Sequence, residues 1–249
     1  MPKTTTDYKP IVVRVEYEID DPQGGLRFVL PDEYTPQRSP HMYTYCGPFG
    51  GLCDGARAWM PCRDTLRDVC PMRFEITVPY WCVAVCSGQM VQQVIDREGQ
   101  YRSFRYVINT KTNCSSIGFA VGPFRLYVPP EMPRMTHFAL PESFEDLVYS
   151  TSKLSSTMAY YEQFMNAKYP FKTYQQVFVE DPPEELLYCA GGAIIDQNIL
   201  HSARIIDREL PSHLVQVKGL VGSWINGAVG IATTKDAWVS IGVIGHLVN

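Results

Sequence analysis

Lys218-Gly219-Leu220-Val221-Gly222-Ser223-Trp224, then eleven residues, then Asp236-Ala237-Trp238-Val239-Ser240-Ile241-Gly242, is the stretch that decides how the chain is read. Pro211 suits the first turn of a helix, where its missing N–H is not needed, so a helix is expected over residues 211–225. Positions 218 and 222 are four apart and share one face of that helix. Two histidines at this spacing, in His-Glu-x-x-His, direct both imidazoles at one zinc ion, with the glutamate as general base. A glutamate from the following helix completes three protein ligands and leaves one position open for water. Laid on residues 218–222, that pattern would put its two histidines at Lys218 and Gly222 and its glutamate at Gly219, and the stretch that follows offers Ile241. Glycine and isoleucine side chains offer no lone pair, and a lysine ammonium donates hydrogen bonds without accepting any. Each helical glycine costs about 1 kcal/mol relative to alanine, so burial rather than propensity must hold this helix.

No second copy of the pattern compensates. The five histidines (His41, His137, His201, His213 and His246) never sit four residues apart. Lys218 is expected to lay its stem on the helix and keep its head in water.

The chain has 249 residues, enough to bury a sizeable core in one or two domains, and its 45% hydrophobic and 19% charged content is that of a globular protein. No run of eighteen apolar residues is present, so no transmembrane span is expected. Residues 1–7 lack the apolar core of a signal peptide and read as a loose leader. Eight cysteines (46, 53, 62, 70, 82, 86, 114 and 189) include no C-x-x-C pair. In a chain this large without a signal peptide they are expected as reduced thiols. Cys82 and Cys86 alternate in a strand-like run and should share one buried face. The formal net charge is −4, and basic residues such as Arg102 and Arg105 are scattered, which argues against a dedicated nucleic-acid surface.

Up to about residue 130, short runs alternate apolar with polar residues: 11–17, 26–30, 73–78 and 103–108. Between them lie Gly, Pro and Asp, as between the strands of an antiparallel sheet structure. Pro129, Pro130 and Pro133 then mark a boundary. Beyond it, Ser143 and Asp146 form a capping-box pattern for a helix running to about residue 166, with Leu147, Leu154, Met158, Tyr161 and Phe164 as its inward stripe. Residues 174–180 and 193–195 read as strands, separated by the acidic, proline-rich loop 181–185.

Trp224, Asp236, Trp238 and Gly242 keep step with the frame H-E-x-x-H-x-W, eleven residues, D-x-W-x-x-E-G. Residues 57–64 are similar to R-x-x-F-P-C-x-D, residues 85–88 to a V-S-N-G turn, and residues 117–124 to L-x-A-x-x-V-G-x-F. Tyr161 with Phe164, Lys168-Tyr169-Pro170-Phe171 and Gln176-Val177-Phe178-Val179 are similar to the opening of a thermolysin-like domain. Taken in order, these segments resemble the gluzincin aminopeptidases, the family of aminopeptidase N and leukotriene hydrolase, over nearly all of residues 10–249. The resemblance implies an α+β fold. An antiparallel β-sandwich would occupy residues 1–131, and the first part of a thermolysin-like α/β domain residues 132–249. It puts the family's G-A-M-E-N substrate motif near Glu185-Leu186-Leu187-Tyr188-Cys189, without the glutamate that grips a substrate amino group. Glu184 and Glu185 read as solvated loop charges.

Residues 121–124, 135–141 and above all 198–207 resemble the non-catalytic branch of this family that works inside the general transcription factor TFIID. The resemblance implies a nuclear interaction module for assembling the RNA polymerase II preinitiation complex at core promoters. Its partners would be other TFIID subunits, with promoter DNA near the initiator contacted through the full assembly. No catalytic, metal or cofactor-binding residue is implied, and neither a membrane nor a small-molecule substrate. Two other functions stay open: a peptide groove in which Lys218 holds a ligand carboxylate, and a hydrolase using Cys189 with His201 or His213.

Overall fold

The structure, a computed structural model, describes residues 11–22, 24–45, 55–231 and 233–248. The leader at residues 1–7, Cys46 and Cys53 lie outside them. In chain order come the strands β1 (Leu26–Val29), β2 (His41–Thr44), β3 (Cys70–Pro79), β4 (Val83–Cys86), β5 (Gln89–Ile95), β6 (Tyr101–Thr112), β7 (Phe119–Gly122), β8 (Arg125–Tyr127) and β9 (Met135–Ala139). Helices α1 (Phe144–Ser150) and α2 (Leu154–Phe164) follow. Then come β10 (Tyr174–Val179), β11 (Leu186–Cys189), β12 (Gly192–Asp196), α3 (Glu209–Trp224) and α4 (Ala237–Val248). The architecture is α+β.

Two sheets are antiparallel throughout, one ordered β1-β2-β7-β4 and the other β3-β6-β5. Alternation decides which side chains they share. Met72, Phe74, Ile76 and Val78 of β3 point one way and meet Cys82, Ala84 and Cys86 together with Phe104, Tyr106 and Ile108 of β6. Cys82 and Cys86 are therefore the small buried side chains that their spacing suggested.

The third sheet is mixed, ordered β11-β12-β10-β9-β8, with β10 parallel to both of its neighbours and an antiparallel strand at each edge. One face, carrying Val177, Val179, Leu187 and Ile194, packs on Val85 of β4 and Ala120 of β7. The other face, carrying Met135, Tyr174, Phe178, Ala193 and Ile195, is covered by the helices. The helix-side face also buries a polar chain. His137 Nδ1 pairs with Gln176 Oε1, and the Gln176 amide donates to Tyr174 Oη and to the Gln216 carbonyl of α3. Burial pushes the His137 pKa down to about 3, against the opposing hydrogen bond that the ring donates to Gln176, so the ring is neutral.

Four expectations need correction. Residues 11–17 form no strand: Val12 is 96% exposed, and a strand without a paired edge or a buried face has nothing to hold it. The helix expected over residues 143–166 is broken into α1 and α2. At the break, Thr151 Oγ1 donates to the Leu147 carbonyl and Ser152 Oγ to that of Tyr149, the local side-chain bonding that competes with a continuing helix. Nor does Ser143 form a capping box, since its hydroxyl donates to Gln197. Phe164 leaves the inward stripe and is 61% exposed, because successive steps of three rotate it off the line of Leu154, Met158 and Tyr161.

Glu162 of α2 ties this half together. Its carboxylate takes Arg134 at 2.7 Å, Lys168 at 3.2 Å and the Tyr169 N–H at 2.8 Å. Burial pushes its pKa up, but the hydrogen bonds from Arg134, Tyr169 and Lys168 outweigh this and hold it at about 2. A carboxylate depressed in the fold stabilises it above its unfolded pKa and loses that contribution as the pH falls through the folded value. Thermal melts are thus expected to fall between pH 4.5 and 2, and Glu162→Gln to flatten that limb while lowering the melting temperature at pH 7.

Candidate functional site

Helix α3 is built to approach the sheet closely. Val217, Leu220, Val221 and Trp224 form a buried stripe at helical spacing and pack with Tyr169 and Tyr174. Trp224 meets the Tyr169 ring edge to face at 5.4 Å, and the Tyr169 and Ser223 hydroxyls pair at 2.8 Å. After α3 the backbone widens into a π-helical turn at Ile225–Val229, and Gly230 at φ 65° ends it. Ser240 of α4 donates to Asn226 Oδ1 of that turn, which joins the two helices.

Between α3, α4 and the edge strand β11 lies a cleft of about 430 Å³, lined by Glu184, Glu185, Tyr188, Lys218, Ile241 and Ile244 among others. The positions singled out by the helix-pair frame do converge. Lys218 and Ile241 face the same cleft across the two helices, Lys218 exposed as expected and Ile241 54% exposed.

The two glycines show what occupies the remaining positions. A Cβ on Gly222 would lie 2.1 Å from Tyr188 Cε1, so the phenol ring of β11 fills the space a side chain there would need. A Cβ on Gly219 would lie 3.1 Å from Ala193 Cβ and 3.3 Å from both Leu186 Cδ1 and Tyr174 Oη. Both glycines let the helix backbone close on the sheet. Burial raises the Tyr188 pKa, with Glu184 adding to it, so the ring is a neutral phenol at physiological pH.

A zinc ion does not fit these residues: an ammonium, two glycines and an isoleucine stand at the positions that the resemblance would match to ligands and base, and a tyrosine ring sits against one of the glycines. Among the described residues no group of three or more His, Cys, Asp and Glu side chains is placed to hold a metal ion. Trp238, in step with the frame, is 73% exposed and takes no part in the cleft wall. Glu184 and Glu185 are exposed, as read from the loop, and stand at the cleft's rim.

Cys189 and the histidines paired with it in the hydrolase reading are not brought together. Alternation along β11 turns Leu186 and Tyr188 toward α3 but Leu187 and Cys189 toward the opposite face, where Cys189 Sγ lies against Gly118. His213 sits on α3 with its Nε2 at 3.2 Å from Thr157 Oγ1, and His201 packs on Tyr149. The sheet lies between thiol and imidazole.

Two features of the site escape motif reading. The ring of Tyr188 at Gly222 joins positions thirty-four residues apart whose types carry no pairing signal. A second cleft, beside the π-helical turn, gathers Arg67, Lys111, Asn113 and Asn226 from three separate segments.

Over 247 residues, 98% of the chain, it is 30% identical to transcription initiation factor TFIID subunit 2 of Gallus gallus. The chain is homologous to a segment of TFIID subunit 2. The subunits of Danio rerio and Drosophila melanogaster match at 29% over 247 residues and 30% over 239. The chain spans about a fifth of the length of these curated relatives, 21%, 20% and 19% respectively. No protein-family model matches it. The homology is spread along nearly the whole chain, so it covers both antiparallel sheets and the cleft alike.

Proposed function

We propose that this chain is a non-catalytic interaction module of TFIID that acts in assembling the RNA polymerase II preinitiation complex at core promoters. It would work in the nucleus with other TFIID subunits as partners, meeting promoter DNA near the initiator through the full assembly. The observation that carries the proposal is the placement of Tyr188 against Gly222 in a chain homologous along 98% of its length to TFIID subunit 2. A catalytic zinc needs three donor side chains and an open coordination position. Lys218, Gly222 and Ile241 supply none of them, and the tyrosine ring lies where a second imidazole would stand.

The architecture supports the same reading. On this reading the two antiparallel sheets belong to an aminopeptidase-type N-terminal β-sandwich over residues 1–131. The mixed sheet, apart from its edge strand β8 at Arg125–Tyr127, is read together with α1–α4 as the opening of a degenerate thermolysin-like domain over residues 132–249. On this reading the chain is a pseudo-aminopeptidase: the scaffold is retained as a rigid surface for neighbouring subunits. Among the described residues no helix is long and apolar enough to cross a membrane.

The test is affinity purification of the full-length protein carrying this segment from nuclear extract. Other TFIID subunits are expected in stoichiometric amounts, and they should be reduced when residues 1–249 are deleted. Recovery of the protein free of every TFIID subunit would refute the assignment.

A further inference from the structure

The second cleft has a composition of its own. It measures about 400 Å³ and is bounded by the loop carrying Leu66, Arg67 and Val69, by Lys111–Asn113 at the end of β6, and by the π-helical turn with Asn226 and Gly230. Among the described residues no carboxylate lines it. The two acids of the same loop are engaged elsewhere, Asp64 by Arg57 at 3.0 Å and Asp68 by Arg63 at 3.3 Å. Arg67 and Lys111 are both exposed, and among the described residues neither is in an ion pair.

The two amides reinforce this polarity. Asn113 is 7% exposed, and its Oδ1 accepts from the Ser116 N–H and the Ser116 hydroxyl, both at 2.9 Å. Asn226 Oδ1 likewise accepts from Ser240. With each amide oxygen satisfied inside the fold, the NH2 ends are the groups left to serve a ligand. Guanidinium, ammonium and two amide NH2 groups make a wall of donors, with no carboxylate among the described residues that line it.

We propose that this cleft receives a phosphoryl group carried on a side chain of a partner protein. A phosphorylated serine or threonine brings nearly two negative charges and three acceptor oxygens, which a guanidinium fork and neighbouring N–H donors match. A nucleic-acid backbone is a poorer match. It needs cations repeated along a track, whereas this is one concave site on a chain of net charge −4, with Asp64 and Asp68 on its flank. The inference stands apart from the assembly role, since it rests on a second cleft that shares only Asn226 with the first among the lining residues described.

The test titrates the full 249-residue chain with N-acetyl-O-phosphoserine methylamide, its unphosphorylated serine counterpart, inorganic phosphate and a short DNA duplex. Saturable binding of the phosphoserine probe is expected, with none by the serine counterpart. It should weaken at least tenfold in the double variant Arg67→Gln/Lys111→Gln. Because both residues are exposed, the double variant is expected to melt at the wild-type temperature, and Arg67→Lys, which keeps charge but not the fork, to show a smaller loss. Equal binding of the serine and phosphoserine probes, or unchanged affinity in the double variant, would overturn the proposal. Duplex binding tighter than phosphoserine and abolished by the same pair would assign the cleft to nucleic acid instead, and would equally overturn it. Inorganic phosphate binding as tightly as the phosphoserine probe would mark an adventitious anion site and count against a protein-borne ligand.

Discussion

Gly222→His is expected to destabilise the fold by about 3 kcal/mol or more without creating a metal site. The Cβ alone would stand 2.1 Å from Tyr188 Cε1, and an imidazole needs more room still. Removing a helical glycine is worth about 1 kcal/mol in the opposite direction, too little to offset an overpacked ring contact. The cause can be isolated. Tyr188→Ala should rescue Gly222→His in part, giving a coupling of about 1–3 kcal/mol in a double-mutant cycle read from denaturant midpoints. Additive effects of the two substitutions would show that the ring does not exclude a side chain at position 222. The single variant is not expected to bind zinc, because Lys218 and Ile241 still face the cleft without a donor.

Trp224→Ala should be the other large effect, at about 3–5 kcal/mol. This indole is 6% exposed and packs edge to face on Tyr169, which in turn bonds Ser223 and stacks at an angle on Phe171. Its removal opens a cavity in the largest helix-side cluster. Trp238, the other tryptophan of the frame, is 73% exposed, and Trp238→Ala should change stability by no more than about 0.5 kcal/mol. Urea melts of the two variants make the comparison. Equal losses would mean that the helix pair is packed differently from the arrangement described above.

The frame around Lys218 was legible in the sequence because spacing on a helix is geometry: residues at i and i+4 share a face whatever their chemistry. The same holds for Cys82 and Cys86, whose alternation placed both in one core. Strand content at residues 73–78, 103–108 and 174–180 followed from the same periodicity, and β3, β6 and β10 contain those runs almost entirely. Residues 11–17 alternate just as cleanly yet pair with no strand among the described residues, because periodicity describes a face and does not supply the neighbour that buries it. The break between α1 and α2 was hidden for a related reason. Ser150, Thr151 and Ser152 are tolerable in a helix, and only their side-chain bonds to Leu147, Tyr149 and the His201 carbonyl show that they end one. At the candidate site, missing donors could be read residue by residue, but the occupant could not. Tyr188 reaches Gly222 only because β11 runs antiparallel to β12 beside α3, a consequence of topology. The donor-lined cleft was equally invisible, since Arg67, Lys111 and Asn226 are brought together from distant parts of the chain.

The most direct test of the central claim, that a peptidase-like cleft here carries no hydrolytic chemistry, is the release of fluorophore from aminoacyl amides by the zinc-supplemented chain, with and without a chelator. A rate equal to the buffer background and unaffected by chelation is expected. Turnover that is abolished by chelator and restored by one equivalent of zinc would contradict it.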